Sequence, residues 1–308
     1  MGRKRFVLIL ADPDDEHALY VQGLLADERH VVRILDTSRF PSDYALSYGP
    51  QSNSARIEFA DGPTLDWSDI HSIYWRQYTG VGVSTLPDAE QADIAENDSR
   101  SLVESMLFAL PGKWINSYRA WRMHQVKPAQ LAKVCSLHLD PDIKIPRTVL
   151  TNSPRELKAF AKSVGQCIFK PVQGGAHTRM LTRTYLSGKR LENLKHAPIT
   201  VQQHIPGTDI RVFVAGRKVM ACRIESDKLD FRQDPDPKIA PHALNAEVTD
   251  ACRRIARALN LDWTGIDLRL TEKGEYYFFE ANPSPMFMGF ESRCRLPLTE
   301  SLIDLLVR

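Results

Sequence analysis

The chain has 308 residues, 43% of them hydrophobic and 25% charged, the composition of an ordinary globular protein. Forty Lys and Arg against 38 Asp and Glu leave a formal charge of +2, which excludes a nucleic-acid grip resting on a strong global positive field. At this length two or three domains are expected, or one large α/β unit carrying subdomains.

The first apolar run, Phe6 to Leu10, gives way to Ala11 and Asp12, too soon for a signal peptide or a membrane span. Neither a membrane nor a nucleic acid is expected as a partner, and the expected location is cytoplasmic. Residues 5–10 read as a buried parallel strand. Residues 16–29 carry Leu19, Val21, Leu24 and Leu25 at helical spacing, and 31–35 read as a second strand. A polar hairpin is expected around 55–62. A third strand, 72–76, runs into the aromatic-rich turn Tyr74-Trp75-Arg76-Gln77-Tyr78. This is a β-α-β opening, because parallel strands need such crossovers.

Residues 89–110 read as a long helix, acidic at its start and apolar in its second half, and 121–139 as another, interrupted at Pro128. A short strand within 145–152 precedes Ser153, a candidate N-cap. Pro154 stands at the first helical position and Glu156 completes a capping-box pattern for a helix reaching Val164. From Cys167 the rhythm changes to strands at 167–172, 178–185, 200–205, 209–215 and 218–224, with one short helix near 191–196. An amphipathic helix at 246–259, a hairpin of 263–270 and 275–280, and a final helix at 298–307 complete the chain. It therefore reads as α/β and α+β. An N-terminal α/β domain (1–118) precedes a small central module (119–200) and a C-terminal antiparallel α+β domain (201–308). The cysteines Cys135, Cys167, Cys222, Cys252 and Cys294 lie far apart with no CxxC pair, which fits reduced thiols rather than a zinc or redox motif.

The last hairpin carries the most chemistry. With its turn at 272–275, Asp267 falls directly opposite Glu280, with Cβ atoms about 5 Å apart. Like charges there cost stability unless a cation bridges them. Asn282, two residues on, shares the face of Glu280. Two carboxylates and an amide oxygen are hard ligands suited to Mg²⁺, which keeps waters and substrate phosphates in its shell and so implies a nucleotide. The plainer alternative is an exposed hairpin with scattered acids. Against it stand the apolar neighbours Ile266, Leu268, Tyr277 and Phe279.

Upstream, Lys170 ends an apolar run, and a lysine on a buried strand needs an anionic partner. The pair Gly174-Gly175 just after it either lets backbone amides approach a phosphate or forms a simple turn. In a second hairpin with its loop at 216–218, Arg211 stands opposite Arg223. Either an anion lies between the two guanidinium groups, or each pairs with Asp209, Glu225 or Asp227.

In order along roughly residues 115–308, Lys127 in Val-Lys-Pro-Ala-Gln-Leu, Lys170 in Ile-Phe-Lys-Pro, the stretch Val201-Gln-Gln-His-Ile205, and Asp267 with Glu280-Ala-Asn282 resemble the ATP-grasp fold of carboxylate–amine ligases. Asp209, Arg211 and Arg223 match it too. Within that superfamily the chain is similar to the maturases of graspetides, microviridin-type peptides with side-chain ester or amide crosslinks. The stretches that carry this are Lys127-Pro-Ala-Gln-Leu, residues 145–154, Asp230-Phe-Arg232, Glu280-Ala-Asn-Pro-Ser284 and Ile73-Tyr-Trp-Arg76. Four departures stand beside it. Gln77 replaces a second basic residue and Tyr78 the following proline. Gln203 stands where a Glu is usual, and Ser284-Pro-Met-Phe replaces Ser-Gly-Gln-Trp.

The resemblance implies ATP and Mg²⁺ as cofactors. It implies that Lys127 and Lys170 hold phosphates and that Gln202, Gln203 and Ile205 read adenine through backbone groups, with Asp209 at the ribose. It further implies that Arg211 and Arg223 stabilise the phosphoryl group in transfer and that Asp267, Glu280 and Asn282 hold Mg²⁺. The basic segment 178–196, with Arg179 and Arg183, would receive the leader of a ribosomal precursor peptide whose core is the substrate. A homodimer is compatible with this reading. Two other readings stand beside it: a ligase acting on a free amino acid or a protein tail, and a nucleotide-binding module that does not ligate.

Overall fold

The computed structural model describes residues 5–26, 29–60, 62, 64–83, 86–173 and 177–308. The strand Arg5–Leu10 lies between His30–Leu35 and Ile70–Trp75 in a parallel sheet that Lys113–Ile115 extends. Val7 to Leu10 are all buried, as a central parallel strand covered on both faces requires. The helix Glu16–Leu25 is capped by Asp15, whose carboxylate accepts from the Ala18 amide at 2.8 Å. It is shorter than the expected 16–29. Its buried residues are His17, Ala18, Val21 and Leu25, while Leu19 lies off that stripe and Leu24 sits near the helix end, both exposed.

The expected polar hairpin at 55–62 is one arm of a larger element. Tyr44–Gly49 pairs antiparallel with Ser54–Phe59, and Leu65–Asp66 completes a three-stranded sheet. Tyr44, Ala55 and Ile57 bury its inner face, while polar residues such as Ser47 on the first arm masked the alternation. The helix Ala89–Ala109 buries Val103, Met106 and Leu107, all in its apolar second half.

The next helical stretch breaks at Val126 rather than at Pro128, giving Tyr118–Gln125 and Lys127–Cys135. Pro128 sits in the first turn of the second helix, where a missing N–H costs nothing. Lys127 thereby becomes a helix N-terminal residue. Ala120, Val134, Leu139 and Ile143 pack into the core of the large C-terminal sheet, so the stretch expected as 119–200 divides in its packing. Only the part from Thr148 onward builds the small central sheet.

That small sheet has the order Arg179–Met180, Cys167–Pro171, Ile199–Gln203, Thr148–Thr151. The helix Pro154–Val164 begins as read, with the Ser153 hydroxyl accepting from the Glu156 amide at 3.4 Å. The reciprocal half of the capping box is not made: the Glu156 carboxylate turns to Arg155, and the Ser153 amide donates to Thr151. The expected strand at 178–185 shrinks to Arg179–Met180, and Arg183–Leu186 forms a 3₁₀ turn. That turn brings the Tyr185 ring to 4.7 Å from Phe169.

The large sheet runs Lys238–His242, Lys218–Glu225, Thr208–Ala215, Trp263–Leu270, Tyr276–Asn282, Ile143–Lys144. On one face Val212, Val214, Ile266 and Phe278 pack against the helix Ala246–Ala258. On the other, Phe213 and Trp263 meet the helix Leu298–Val307, and this core is continuous with Val7, Ile9, Tyr74 and Ile115 of the N-terminal sheet. No described helix is long and apolar enough to cross a membrane.

Two registers decide which charged side chains of this sheet share a face. Ala215 pairs with Lys218 across a two-residue turn, so Arg211 faces Cys222, and Arg223 faces Ile210 instead. In the last hairpin Leu270 pairs with Tyr276 and Leu268 with Phe278, then the register shifts at Phe279 so that Asp267 pairs with Glu280 and Gly265 with Asn282. Phe278 is fully buried at the centre of the larger core. Phe278→Ala should lower the unfolding free energy by about 3–5 kcal/mol. Urea denaturation would report this as a lower midpoint at unchanged slope, and an unchanged midpoint would contradict the core placement.

Candidate functional site

The polar end of the large sheet's second face looks across a cleft at the small sheet. Two adjoining cavities fill that cleft, both lined by Lys170, Gln202, Arg232, Phe279 and Glu280. The first continues past Ile168, His204, Ile205 and Asp209, and the second past His124, Lys127, Thr148 and Asn282.

The opposed carboxylates sit at the centre. Arg211, buried on the adjacent strand, places its Nε 2.7 Å from Asp267 Oδ1. Lys127 Nζ lies 3.1 Å from both carboxylate oxygens of Glu280. Burial pushes the Asp267 carboxyl up, against the pull of Arg211, and Glu280 adds to the push. Burial pushes Glu280 up as well, but Lys127, His124 and Lys170 outweigh it and hold the carboxyl below its ordinary value. Lys170 itself is pulled down, first by burial, although Glu280 favours its charge. Asn282 shares the face of Glu280, and its Oδ1 accepts from the Ser284 amide at 2.9 Å. No three His, Cys, Asp or Glu side chains cluster as a metal-binding group among the described residues. The available set is two carboxylates and an amide oxygen, hard donors that fit Mg²⁺ sharing its shell with water and phosphate.

The hinge strand divides its residues by face. Gln202 is 2% exposed; its amide nitrogen donates to Thr148 Oγ1 at 2.8 Å, and its Oε1 is buried with no partner among the described residues. That fixes an acceptor aimed into the cleft. The Gln203 side chain turns away, accepting from the Arg147 amide at 3.4 Å. Ile205 is buried against the first cavity. Asp209 pairs with Arg269 at 2.8 Å.

Arg223 does not reach the site. It shares the face of Ile210, opposite to that of Arg211, and its guanidinium pairs with Glu225 at 2.6 Å. The expected facing arginines therefore do not exist. Arg232, in the 3₁₀ turn Phe231–Gln233, occupies the second cationic position, 3.6 Å from Asp267 and 3.3 Å from Asp230. Its sequence signal was the stretch Asp230-Phe-Arg232, which pointed to a family but to no role. Arg269 and His124 were also missed. Arg269 shares a strand with Asp267, two residues on, and His124 stands three residues before Lys127. Arg179 and Arg183 are exposed on the small sheet's outer strand and the turn after it, outside both cavities. The Gly174-Gly175 pair lies outside the described residues.

A model of the RimK-like ATP-grasp domain matches residues 128–306. The ATP-grasp ligase PsnB, complexed with minimal precursor, Mg and ADP, is 32% identical to this chain, with a TM-score of 0.81 over all of this chain and 98% of that one. The macrocyclase MdnC from Microcystis aeruginosa, bound with the precursor peptide MdnA, has a TM-score of 0.84 over 99% of each chain; its 20% identity makes that a likeness of fold. A D-alanine–D-alanine ligase of Nitrosospira multiformis is 27% identical over 161 residues, 46% of this chain and 52% of that ligase. The chain thus spans about half the length of that curated relative.

Burial pushes the Asp209 carboxyl up to about 6, although Arg269 pulls it down. A folded-state value above the ordinary one near 3.9 means that ionising Asp209 costs the folded state. That cost is absent well below pH 4, grows between pH 4 and pH 6 and is nearly complete by pH 7. From pH 4 to pH 7, Asp209→Asn should therefore gain about 2–3 kcal/mol on the wild type in chemical denaturation. Parallel pH profiles for the two proteins would contradict this environment.

Proposed function

We propose that this chain, which belongs to the RimK-like ATP-grasp family, is an ATP-dependent ligase that closes side-chain ester or amide crosslinks in a ribosomal precursor peptide. The observation that carries this reading is the pair Asp267–Glu280, opposed on neighbouring strands and met by Arg211, Lys127 and Lys170 from three separate elements. Such a site suits a triphosphate with its cation. The peptide half of the reading is supported by the 32% identity to PsnB over nearly its whole length.

In this reading adenine lies in the first cavity, its amino group donating to the unpartnered Gln202 Oε1, with the ribose near Asp209. Asp267, Glu280 and Asn282 would hold Mg²⁺, which would neutralise phosphate charge. Lys170, with no close ion pair among the described residues, takes phosphate oxygens. Lys127 exchanges Glu280 for phosphate when nucleotide enters. Arg211 is immobilised between Asp267 and the Phe290 ring, 5.6 Å away, and Arg232 takes the place expected for Arg223. Both stand ready to balance charge on the phosphoryl group in transfer, and such positioning and charge neutralisation carry most of this step.

A peptide carboxylate oxygen attacks the γ-phosphorus, the bond to the β-phosphate oxygen breaks, and ADP leaves. A side-chain hydroxyl or amine then attacks the acyl carbon and gives up its proton, and inorganic phosphate leaves. The exposed Arg179 and Arg183 lie where a leader peptide with acidic residues would be held.

Incubation of the protein with ATP, Mg²⁺ and a candidate precursor peptide, such as any small peptide encoded beside its gene, should lower the peptide mass by one water per crosslink. An unchanged peptide, together with ADP release driven by free amino acids, would move the assignment to a small-substrate ligase. Mg²⁺-ATP should also raise the melting temperature of the wild type by mass action, and Lys170→Met should lose that shift. An equal shift in both proteins would remove Lys170 from the phosphate site.

A further inference from the structure

The loop after Asn282 is held with unusual completeness. The carbonyl of Asn282 accepts from Thr264 Oγ1 at 2.8 Å. The carbonyl of Pro283 accepts from Asn116 Nδ2 at 2.7 Å. The carbonyl of Ser284 accepts from Arg76 Nη1 at 3.1 Å. Three successive carbonyls are thus fixed by side chains from three distant segments. Asn116 is 1% exposed and also binds the backbone of Asp262 and Trp263, so it serves the strand as much as the loop.

Arg76 is different. It follows directly on the strand Ile70–Trp75 of the N-terminal sheet and reaches across to a residue 208 positions later. Its Nη1 also donates to Ser284 Oγ at 2.8 Å, and that hydroxyl donates back to the Arg76 carbonyl. Its Nε is held at 3.0 Å by Asp15, the cap of the first helix, and both side chains are 11% exposed. The Ser284 amide in turn donates to Asn282 Oδ1. A continuous chain of contacts, Asp15–Arg76–Ser284–Asn282, therefore runs from the N-terminal unit to the amide oxygen beside Glu280.

We infer that Arg76 is a positioning residue for Asn282, through which the N-terminal unit sets how tightly the cleft holds its divalent cation. The physical ground is that an amide oxygen ligates well only at a fixed angle. Ser284 fixes that angle from one side, and Ser284 is itself held by a guanidinium with little freedom to move. Residues behind metal ligands commonly act this way, and their loss weakens metal binding by about 10–100-fold. The inference rests on the reading of Asn282 as a ligand.

The test uses the full chain with ADP and Mn²⁺, the bound metal being followed by electron paramagnetic resonance. Arg76→Gln should weaken Mn²⁺ binding to the ADP complex by about tenfold, while ADP affinity in EDTA stays within about twofold of wild type. Arg76→Lys, which keeps a donor for Ser284, should recover part of the loss. In the double variant with Asn282→Ala, the Arg76 change should add nothing to the loss from Asn282→Ala alone. A purely structural Arg76 would lower metal-bound and metal-free nucleotide affinity together, and that result overturns the inference. So does unchanged Mn²⁺ affinity in Arg76→Gln when Asn282→Ala weakens it. Should Asn282→Ala itself leave Mn²⁺ binding intact, the ligand reading beneath the inference falls and the inference with it. If Arg76→Gln does not fold, Ser284→Ala carries the test, with a smaller loss of Mn²⁺ affinity expected and no loss overturning the inference.

Discussion

Two carboxylates on neighbouring strands, Asp267 and Glu280, occupy positions where like charges repel. The rest of the cleft answers that repulsion. Arg211 comes from the next strand of the same sheet, Lys127 from the first turn of a helix, and Lys170 from the small sheet across the cleft. Because each comes from a different element, the two acids draw helix and sheets toward one point. They also come to differ. Burial pushes the Asp267 carboxyl up, whereas Glu280, beside Lys127, His124 and Lys170, is pulled down. One site thereby holds two acids in unlike environments, which suits a cation bound unequally by its ligands.

The juxtaposition depends on a single extra residue. The hairpin closes with Thr271 and Glu275 bonded across the turn, which sets a register in which Leu268 faces Phe278. Continued unbroken, that register would place Phe279 opposite Asp267. Glu280 would then fall opposite Ile266, on the apolar face. The irregularity at Phe279 resets the pairing and turns Glu280 and Asn282 to the cleft. Bulges next to functional sites re-aim side chains in this way, and here the re-aimed side chains are two of the three proposed metal ligands.

The same geometry explains how much the sequence could disclose. The pairing of Asp267 with Glu280 was legible because a turn placed one residue late and an unforeseen bulge cancel. Where no such compensation exists, as at the turn after Ala215, an error of one residue put Arg223 on the wrong face, since every side chain reverses with each step of register. The strand Arg5–Leu10 and the helix Leu298–Val307 were legible because continuous burial and amphipathic spacing are local signals. Arg232 was not, because it sits in a short 3₁₀ turn and its approach to Asp267, 35 residues on, is a tertiary contact that no local pattern shows. The break at Val126 was also hidden. Pro128 draws the eye, but a proline in a helix's first turn starts the helix rather than ending it.

The charges of the cleft also explain why the overall composition looked so neutral. Lys127, Lys170, Arg232 and Arg269 line the cleft together with Asp209, Asp230, Asp267 and Glu280, and Arg211 joins them at Asp267, so the cleft comes close to balancing its charges, as does a chain whose formal charge is only +2. Burial pulls Lys170 down, although Glu280 favours its charge. A divalent cation added alone would face the lysines and arginines, and a polyphosphate added alone would face the carboxylates. In the reading proposed above, a cation against Asp267 and Glu280 and phosphate oxygens against the lysines and arginines would balance these charges together. Cation and nucleotide binding should therefore be coupled by electrostatics before any conformational change is considered.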